Sequence, residues 1–236
     1  MPKLTFQHGN AKIGKDTATF SLPAGHTCPG AMDCFSRAHK DSGKITDGKH
    51  MQFRCFAASQ EAAFSSVRKS RWRNFELLKD AKTIAGMKDL IMAALPRKSP
   101  YVRVHVSGDF FNQNYFDAWM SVARECPDQV FYSYTKSLHI WKKRLPHVPS
   151  NFRLNASRGG KFDTKIKELD LVEAVVILHP EEAGDMEIDH DDSHARSEKR
   201  ENFALIIHGI QPKGSKGAEA IKRLKNEEIK FAYTRK

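Results

Sequence analysis

Three of the four cysteines, Cys28, Cys34 and Cys55, fall in the first quarter of the chain. Five residues separate the first two and twenty separate the second and third. Cys28 and Cys34 sit in the turn-rich phrase LPAGHTCPGAMDC, and Cys55 opens CFAASQEA. Three neighbouring thiols without a close fourth suit a metal or cluster site that keeps one position open, as a catalytic centre requires and a closed structural zinc site does not. Gly25, Pro29 and Gly30 favour a loop bent closely around a ligand. Two alternatives stand beside this reading. One is a zinc site of three cysteines and a histidine, with His26, His39 or His50 as the fourth ligand. The other is three inert buried thiols. Cys126 ends a helical segment at AREC-PD and reads as a packing residue.

Polar residues also recur wherever an apolar run ends. Ser107-Gly108-Asp109 closes YVRVHV. Thr135 and Lys136 close QVFYSYT, within reach of a phosphate, carboxylate or nucleotide. Asn155, Ser157, Arg158 and the pair Gly159-Gly160 follow NFRL, and His208-Gly209 with Gln211 follows FALII. Ligand sites of parallel α/β proteins collect at strand C-termini, so these residues are candidates for cofactor binding. Asp109 has a plainer alternative as a helix-capping residue.

The elements that must position these groups are legible from periodicity. Residues 1–60, rich in Gly, Pro, Ser and His, read as short strands and loops, with an Asp-Gly turn and an alternating segment in KITDGKHMQFRCF. From Gln60 to Leu95 the spacing predicts helix, with Phe64, Val67, Trp72, Phe75 and Leu78 on one stripe. Strands then alternate with helices: YVRVHVSGDFF with Val102, Val104 and Val106 on one face, NYFDAWMSVAREC with Phe116, Trp119, Met120 and Ala123 as its stripe, QVFYSYT, LHIWKKRL, NFRLNAS, KFDTKIKELD, EAVVILH, FALIIHG and a final basic helix. This order implies βαβ units, a parallel sheet and a single α/β domain over 1–236. The charged stretch 181–201 interrupts two strands and reads as a long loop or lid. Its Asp189, His190, Asp191, Asp192 and His194 are candidate ligands for a hard divalent ion, weighed against a solvated charged loop.

The net charge of +11 favours polyanionic partners, nucleic acid or nucleotides first. Arg68, Lys69, Arg71, Trp72 and Arg73, and the segment from Lys213 to Lys236, are the basic patches that would meet phosphates, unless Trp72 is core and the charges are solvated. No apolar run approaches the ~20 residues of a membrane span, so no membrane partner is expected. The N-terminus has no apolar region of the secretory kind, and a reducing cytoplasmic compartment is the expectation.

The phrases SLPAGHTCPGAMDC, FRCFAASQEA, VRKSRWRNFELL, RVHVSGDFFNQNYFDAWMSVA, FYSYTKS and LIIHGIQPKGS resemble the bacteriophage family called gene product 88, from about Ala11 to Ser215. That family's cysteine cluster followed by an aromatic and Ala, here Cys55-Phe56-Ala57, is in turn similar to radical S-adenosylmethionine proteins. There, three cysteines hold three irons of a [4Fe–4S] cluster, and the fourth iron binds the amino and carboxylate groups of S-adenosylmethionine. The resemblance implies an incomplete parallel (β/α) barrel with the cysteine-bearing segment 1–60 over its mouth. It implies Cys28, Cys34 and Cys55 as ligands, Gly108 and Asp109 as holders of the cofactor amine, and reductive cleavage of the sulfonium to a 5′-deoxyadenosyl radical in the host cytoplasm. This chain departs from the radical pattern, whose cysteines are spaced by three and then two residues. A non-catalytic zinc- or cluster-stabilised protein that binds nucleic acid or a host protein is the rival expectation.

Overall fold

The computed structural model describes residues 3–10 and 12–231. In chain order the elements are β1 Gln7–His8, β2 Thr17–Ser21, β3 Ser36–Ala38, β4 Ile45–Asp47, α1 Phe56–Ala63, α2 Ser65–Ala81, α3 Ile84–Ala94, β5 Tyr101–Ser107, α4 Gln113–Glu125, β6 Val130–Thr135, α5 Leu138–Trp141, β7 Phe152–Ser157, α6 Thr164–Glu168, β8 Glu173–Ile177, β9 Glu187–Ile188, β10 Phe203–Ile206 and α7 Lys216–Asn226. Eight strands form one sheet in the order β1-β2-β5-β6-β7-β8-β10-β9. All neighbours are parallel except the β1–β2 pair. The fold is therefore mixed α/β with a mostly parallel central sheet, as the alternation of apolar runs and helices implies. A small hairpin, β3–β4, stands apart.

Strand alternation divides the sheet into two faces. Ala18, Phe20, Val102, Val104, Phe131, Phe152 and Leu154 pack under the helices in the main core with Leu78, Met87, Ile91, Phe116 and Trp119. Helix ends are capped as their sequences suggest: Asn112 accepts from Tyr115 N at 2.9 Å, and Ser215 accepts from Ala218 N at 3.2 Å. The second face carries Arg103, Tyr132, Tyr134 and Asn155, and the charged stretch lies across it. Ala195 is fully buried against Tyr132, Ala174 and Phe203. Asp189 and Asp192 are buried too, while much of the rest of the stretch, including His190, Asp191 and Ser193, is exposed. Asp192 finds its donors on the sheet, in Arg103, Tyr132 and Tyr134, which composition alone does not reveal.

Three further expectations are corrected. Phe64 is exposed at the break between α1 and α2, outside the helical stripe. That stripe buries Arg68, Arg71 and Asn74 along with Leu78, because Asn74 ties α2 to the backbone of Thr5 and Ser21 and the arginines tie down the neighbouring loop. The alternating segment after Asp47-Gly48 is not a strand; Gly48 N turns back to Phe35 O at 2.7 Å. Finally, β5 bulges. Thr19 pairs with Arg103 but Ser21 pairs with Ser107, so two residues of β2 oppose four of β5. The bulge centres on His105, at φ 71°. It turns His105 toward Phe110 and Tyr115 and leaves Val106 on a cavity wall instead of in the core.

Among the described residues, no helix is long and apolar enough to cross a membrane.

Candidate functional site

The loop that carries Cys28 and Cys34 leaves the C-terminal end of β2 directly, through Leu22 and Pro23. It lies on the C-terminal edge of the parallel strands, and glycines at those edges make room for it. Gly108, at φ 85°, has no space for a side chain, because a Cβ would stand 2.6 Å from Thr27 Oγ1 and 2.7 Å from Leu22 Cβ. Gly159, at φ 90°, faces Asp33 in the same way, and Gly209, at φ 87°, faces Phe56. From the other side, Gly30 abuts the carbonyl of Lys136. Beside the roles expected of Gly108 in holding a cofactor amine and of Gly159-Gly160 in cradling an anion, these positions have a packing role. These glycines seat the cysteine loop on the sheet.

The seating brings Cys28, Cys34 and Cys55 to one cavity of about 180 Å³. Ser107, Gly108, Asp109, Lys136, Ser157 and His208 line it as well, while Thr135 and Asn155 do not. Thr135 instead donates to Asp109 Oδ1 at 2.7 Å. Asn155 Nδ2 donates to Ser133 O at 3.3 Å and to Ala195 O at 3.0 Å, fastening the charged stretch to the sheet. Both oxygens of Asp109 are in use, because Phe110 N and Lys136 N also donate to them at 2.7 and 2.9 Å. Asp109 therefore organises the junction of β5 and β6 before it can serve any ligand. Burial is the main force raising its pKa, against the hydrogen bonds that lower it.

Lys136 is the notable charge at the thiols. It is buried, and its Nζ donates to Ser157 O at 3.1 Å, Ser157 Oγ at 2.8 Å and the carbonyl of Arg158. All three acceptors are neutral. Burial pushes the Cys34 thiol pKa up, and the Lys136 ammonium opposes that rise. Burial raises Cys55 to about 11 and Cys28 well above the ordinary thiol range, where Asp109 and the other two thiols add to the effect. The unligated thiols are accordingly protonated at neutral pH, and metal binding would displace their protons.

Among the described residues, no three His, Cys, Asp or Glu side chains lie close enough together to grip a single ion. Tetrahedral zinc would need sulfurs roughly 3.8 Å apart, from its Zn–S bonds of about 2.3 Å. The histidines proposed as fourth ligands do not line the cavity. His26 Nε2 meets Ala38 O at 2.9 Å, and His39 and His50 are exposed. In the charged stretch, His194 pairs with Glu187, and Asp192 with Arg103, so the divalent-ion grouping is not assembled. Cys126 is buried at the end of α4, with Arg97 Nη1 2.9 Å from its Sγ, as a packing residue.

Three further residues complete the site, Gln211 from among the sequence candidates and Glu61 and His105 from outside them. Glu61 is fully buried and accepts from Arg71 Nη1 at 2.9 Å, Ala24 N at 2.9 Å and Ser107 Oγ at 3.2 Å. It joins α2, the cysteine loop and the end of β5 through one carboxylate. Its signal in the sequence is a lone carboxylate among the alanines of CFAASQEAA.

Gln211 clamps the backbone beside Cys55. It accepts from Arg54 N at 2.7 Å and donates to Arg54 O at 3.0 Å. Gln211→Leu is expected to cost about 1–3 kcal/mol from these lost hydrogen bonds. It should also speed iodoacetamide labelling of Cys55 several-fold while leaving Cys28 unchanged; equal rates at both thiols in peptide mass spectra would refute the clamp.

His105 is buried, its Nε2 is 2.9 Å from Tyr115 Oη, and burial lowers its pKa to about 3. An unfolded histidine takes a proton near pH 6.5, whereas folded His105 resists it down to about pH 3. Between these values the unfolded chain binds more protons, so stability falls as pH falls. The loss at pH 5 is about 2 kcal/mol. His105→Asn keeps a residue that tolerates positive φ. Urea titrations at pH 7 and pH 5 should show this variant losing about 2 kcal/mol less than the parent.

His208 packs at a tilt against Phe56 with ring centroids 4.5 Å apart, and burial first, then Lys12, lowers its pKa to about 4. Of the basic patch on α2, Arg68 and Arg71 face inward. Arg68 donates to the carbonyls of Lys40, Asp41 and Glu61, and Arg71 pairs with Glu61, so neither faces a phosphate. Trp72 is half-buried between His26 and Phe75. In the basic C-terminal segment Arg223 pairs with Glu181 and Glu227, and Arg235 and Lys236 lie outside the described residues.

Comparison with known proteins finds relatives in mycobacteriophages. The Gene 88 protein of Mycobacterium phage L5 is 27% identical over 158 residues, 61% of this chain and 59% of that protein. The Gene 88 protein of Mycobacterium phage D29 is 29% identical over 138 residues, 54% of this chain and 50% of that protein. The chain thus spans between half and three-fifths of the length of these relatives. No solved structure matches. A family model described as Gene product 88 matches residues 3–228, and the chain belongs to that family.

Proposed function

We propose that this protein holds a [4Fe–4S] cluster through Cys28, Cys34 and Cys55 and binds S-adenosylmethionine at the open position, for chemistry on a nucleotide or related substrate. The observation that carries this reading is the convergence of three thiols, from separate turns of one loop region, on a cavity at the C-terminal edge of a parallel sheet. Thiols that share one cavity could each ligate a different iron of a bridged cluster. When bound, such a cluster supplies one electron and an iron open to the cofactor. The chain's own residues do the remaining work. Lys136 brings positive charge, balanced only by neutral dipoles, to thiols that must lose their protons on ligation. Asp109, Ser107 and Glu61 hold β5, β6 and the cysteine loop together. Phe53, Phe56, Leu205 and Ile207 make much of the wall apolar, which limits water at the reacting centre.

The strand order supports an incomplete (β/α) barrel as well. Its six central parallel strands, β2-β5-β6-β7-β8-β10, run in chain order apart from the edge insertions, which is how a singly wound barrel is laid out.

The test is anaerobic purification with iron, sulfide and zinc analysis, followed by EPR of the reduced protein with and without S-adenosylmethionine. About four irons per chain and a signal that shifts on adding the cofactor would support the reading. Zinc alone, or no metal in protein purified anaerobically, would overturn it and favour a binding protein without catalysis.

A further inference from the structure

The β3–β4 hairpin has two unlike faces. Ser36 pairs with Asp47, Arg37 with Thr46 and Ala38 with Ile45. His39 N donates to Lys44 O at 2.9 Å, which extends the register by one pair. Strand alternation then places Arg37, His39, Lys44 and Thr46 on one side, and all four are exposed. Ser36 and Ala38, on the other side, are buried, and the hairpin packs against α1. Lys49, just beyond β4, is exposed as well.

The outward side carries unpaired positive charge. Among the described residues, no hydrogen bond or ion pair engages the side chains of Arg37, Lys44 or Lys49. His39 Nδ1 accepts from the backbone N of Asp41 and of Ser42, each at 3.3 Å, so its Nε2 is left to donate. Two of the carboxylates around the hairpin are already taken: Arg54 Nε donates to Asp47 at 3.0 Å, and Glu76 pairs with Lys40. Asp41 sits in the turn and offsets one of these charges at most. Buried Arg68 pins that turn, donating to the carbonyls of Lys40 at 2.9 Å and Asp41 at 3.1 Å. The base of the hairpin adjoins the thiols. Asp33 O and Phe35 O, on either side of Cys34, accept from Gln52 N and Gly48 N, both at 2.7 Å. Arg37 follows Cys34 by three residues, at most roughly 10 Å along the chain.

We propose that this face of the hairpin binds the phosphate backbone of a double-stranded nucleic acid and holds it beside the thiol cavity. Arginine and lysine without carboxylate partners neutralise phosphates and release their counterions. A protein partner would call for an apolar centre to the interface, and none of the four outward residues is apolar. A single strand would call for aromatic rings on which its bases stack. Trp72, on the neighbouring helix, is instead packed between His26 and Phe75, with Lys40 Nζ 5.4 Å from its ring. Contacts to phosphates carry no sequence information, so binding is expected to be independent of sequence. This inference goes beyond the cluster reading and does not depend on it.

Fluorescence anisotropy of the full chain with a short labelled DNA duplex tests the proposal. Affinity is expected to fall steeply between about 50 and 200 mM salt. The triple variant Arg37→Gln, Lys44→Gln, Lys49→Gln should bind at least about tenfold more weakly at the lower salt. Its log–log salt slope should be shallower by roughly 0.9 for each cation removed. The control Lys216→Gln, Lys222→Gln, Lys225→Gln removes the same charge from exposed positions of α7 and should keep most of the affinity. All six substitutions are at exposed side chains, so both variants should melt with the parent. Equal losses in the two variants would trace binding to net charge and overturn the assignment to the hairpin. Absence of duplex binding at the lower salt, or tighter binding of the matching single strand, would overturn it too. So would displacement of the duplex by poly-glutamate as readily as by unlabelled duplex, which would point to an acidic protein. The measurement needs no iron, so failure of the cluster reading would leave its outcome unaffected.

Discussion

Under the proposed cluster reading, Cys34→Ala purified anaerobically is expected to lose iron and sulfide at least about tenfold, while Cys126→Ala keeps both. The contrast follows from position. Cys34 lines the cavity with Cys28 and Cys55, whereas Cys126 lies at the end of α4 against Arg97. Even residues one step removed from a metal commonly change affinity by about 10–100-fold, so loss of a ligand sets a higher floor. The effect should be local, since Cys34 is only half-buried and lies outside the main core. Circular dichroism of Cys34→Ala should match the parent without iron. A Cys34→Ala protein with full iron and sulfide would remove this residue from the ligand set.

The second large effect concerns the buried pair beneath the cysteine loop. Arg71 and Glu61 pair at 2.9 Å, with side-chain exposures of 7% and 0%. Arg71→Met leaves a buried carboxylate with only neutral donors, Ala24 N and Ser107 Oγ. Removing one partner of such a pair costs about 3–5 kcal/mol. For a chain of this length the melting temperature should fall by on the order of 10 °C. The double variant Arg71→Met with Glu61→Gln should recover part of the loss, because no charge is then buried alone. A thermal shift near zero for Arg71→Met would mean that the pair contributes nothing to holding the loop. The same variant should also weaken metal retention, because Glu61 ties Ala24, four residues before Cys28, to the end of β5.

Periodicity and residue type were enough to identify much of this molecule. Alternating Val at 102 and 104 and the stripe Phe116, Trp119, Met120 and Ala123 mark elements that bury those side chains on one side, because period and burial are the same fact seen in one and three dimensions. The Gly-containing strand ends and the cysteine loop were also visible, and they do meet at one cavity. What the glycines do there was not legible. Positive φ can serve a ligand or close packing, and the packing against Thr27, Asp33 and Phe56 shows only in the folded chain. The bulge at His105 was hidden for a related reason: one residue's φ reverses the alternation that sequence reading assumes. Buried charge was the least readable feature. Arg68, Arg71 and Asp192 have the composition of a solvated surface, but each is buried where partners on other elements supply its hydrogen bonds. The sequence by itself determined the main alternation of strands and helices from Phe56 onward and where the thiols lie along the chain. Tertiary structure alone decided which charges are enclosed and which strand ends face the thiols, because burial of a polar group depends on partners that only folding brings within hydrogen-bond distance.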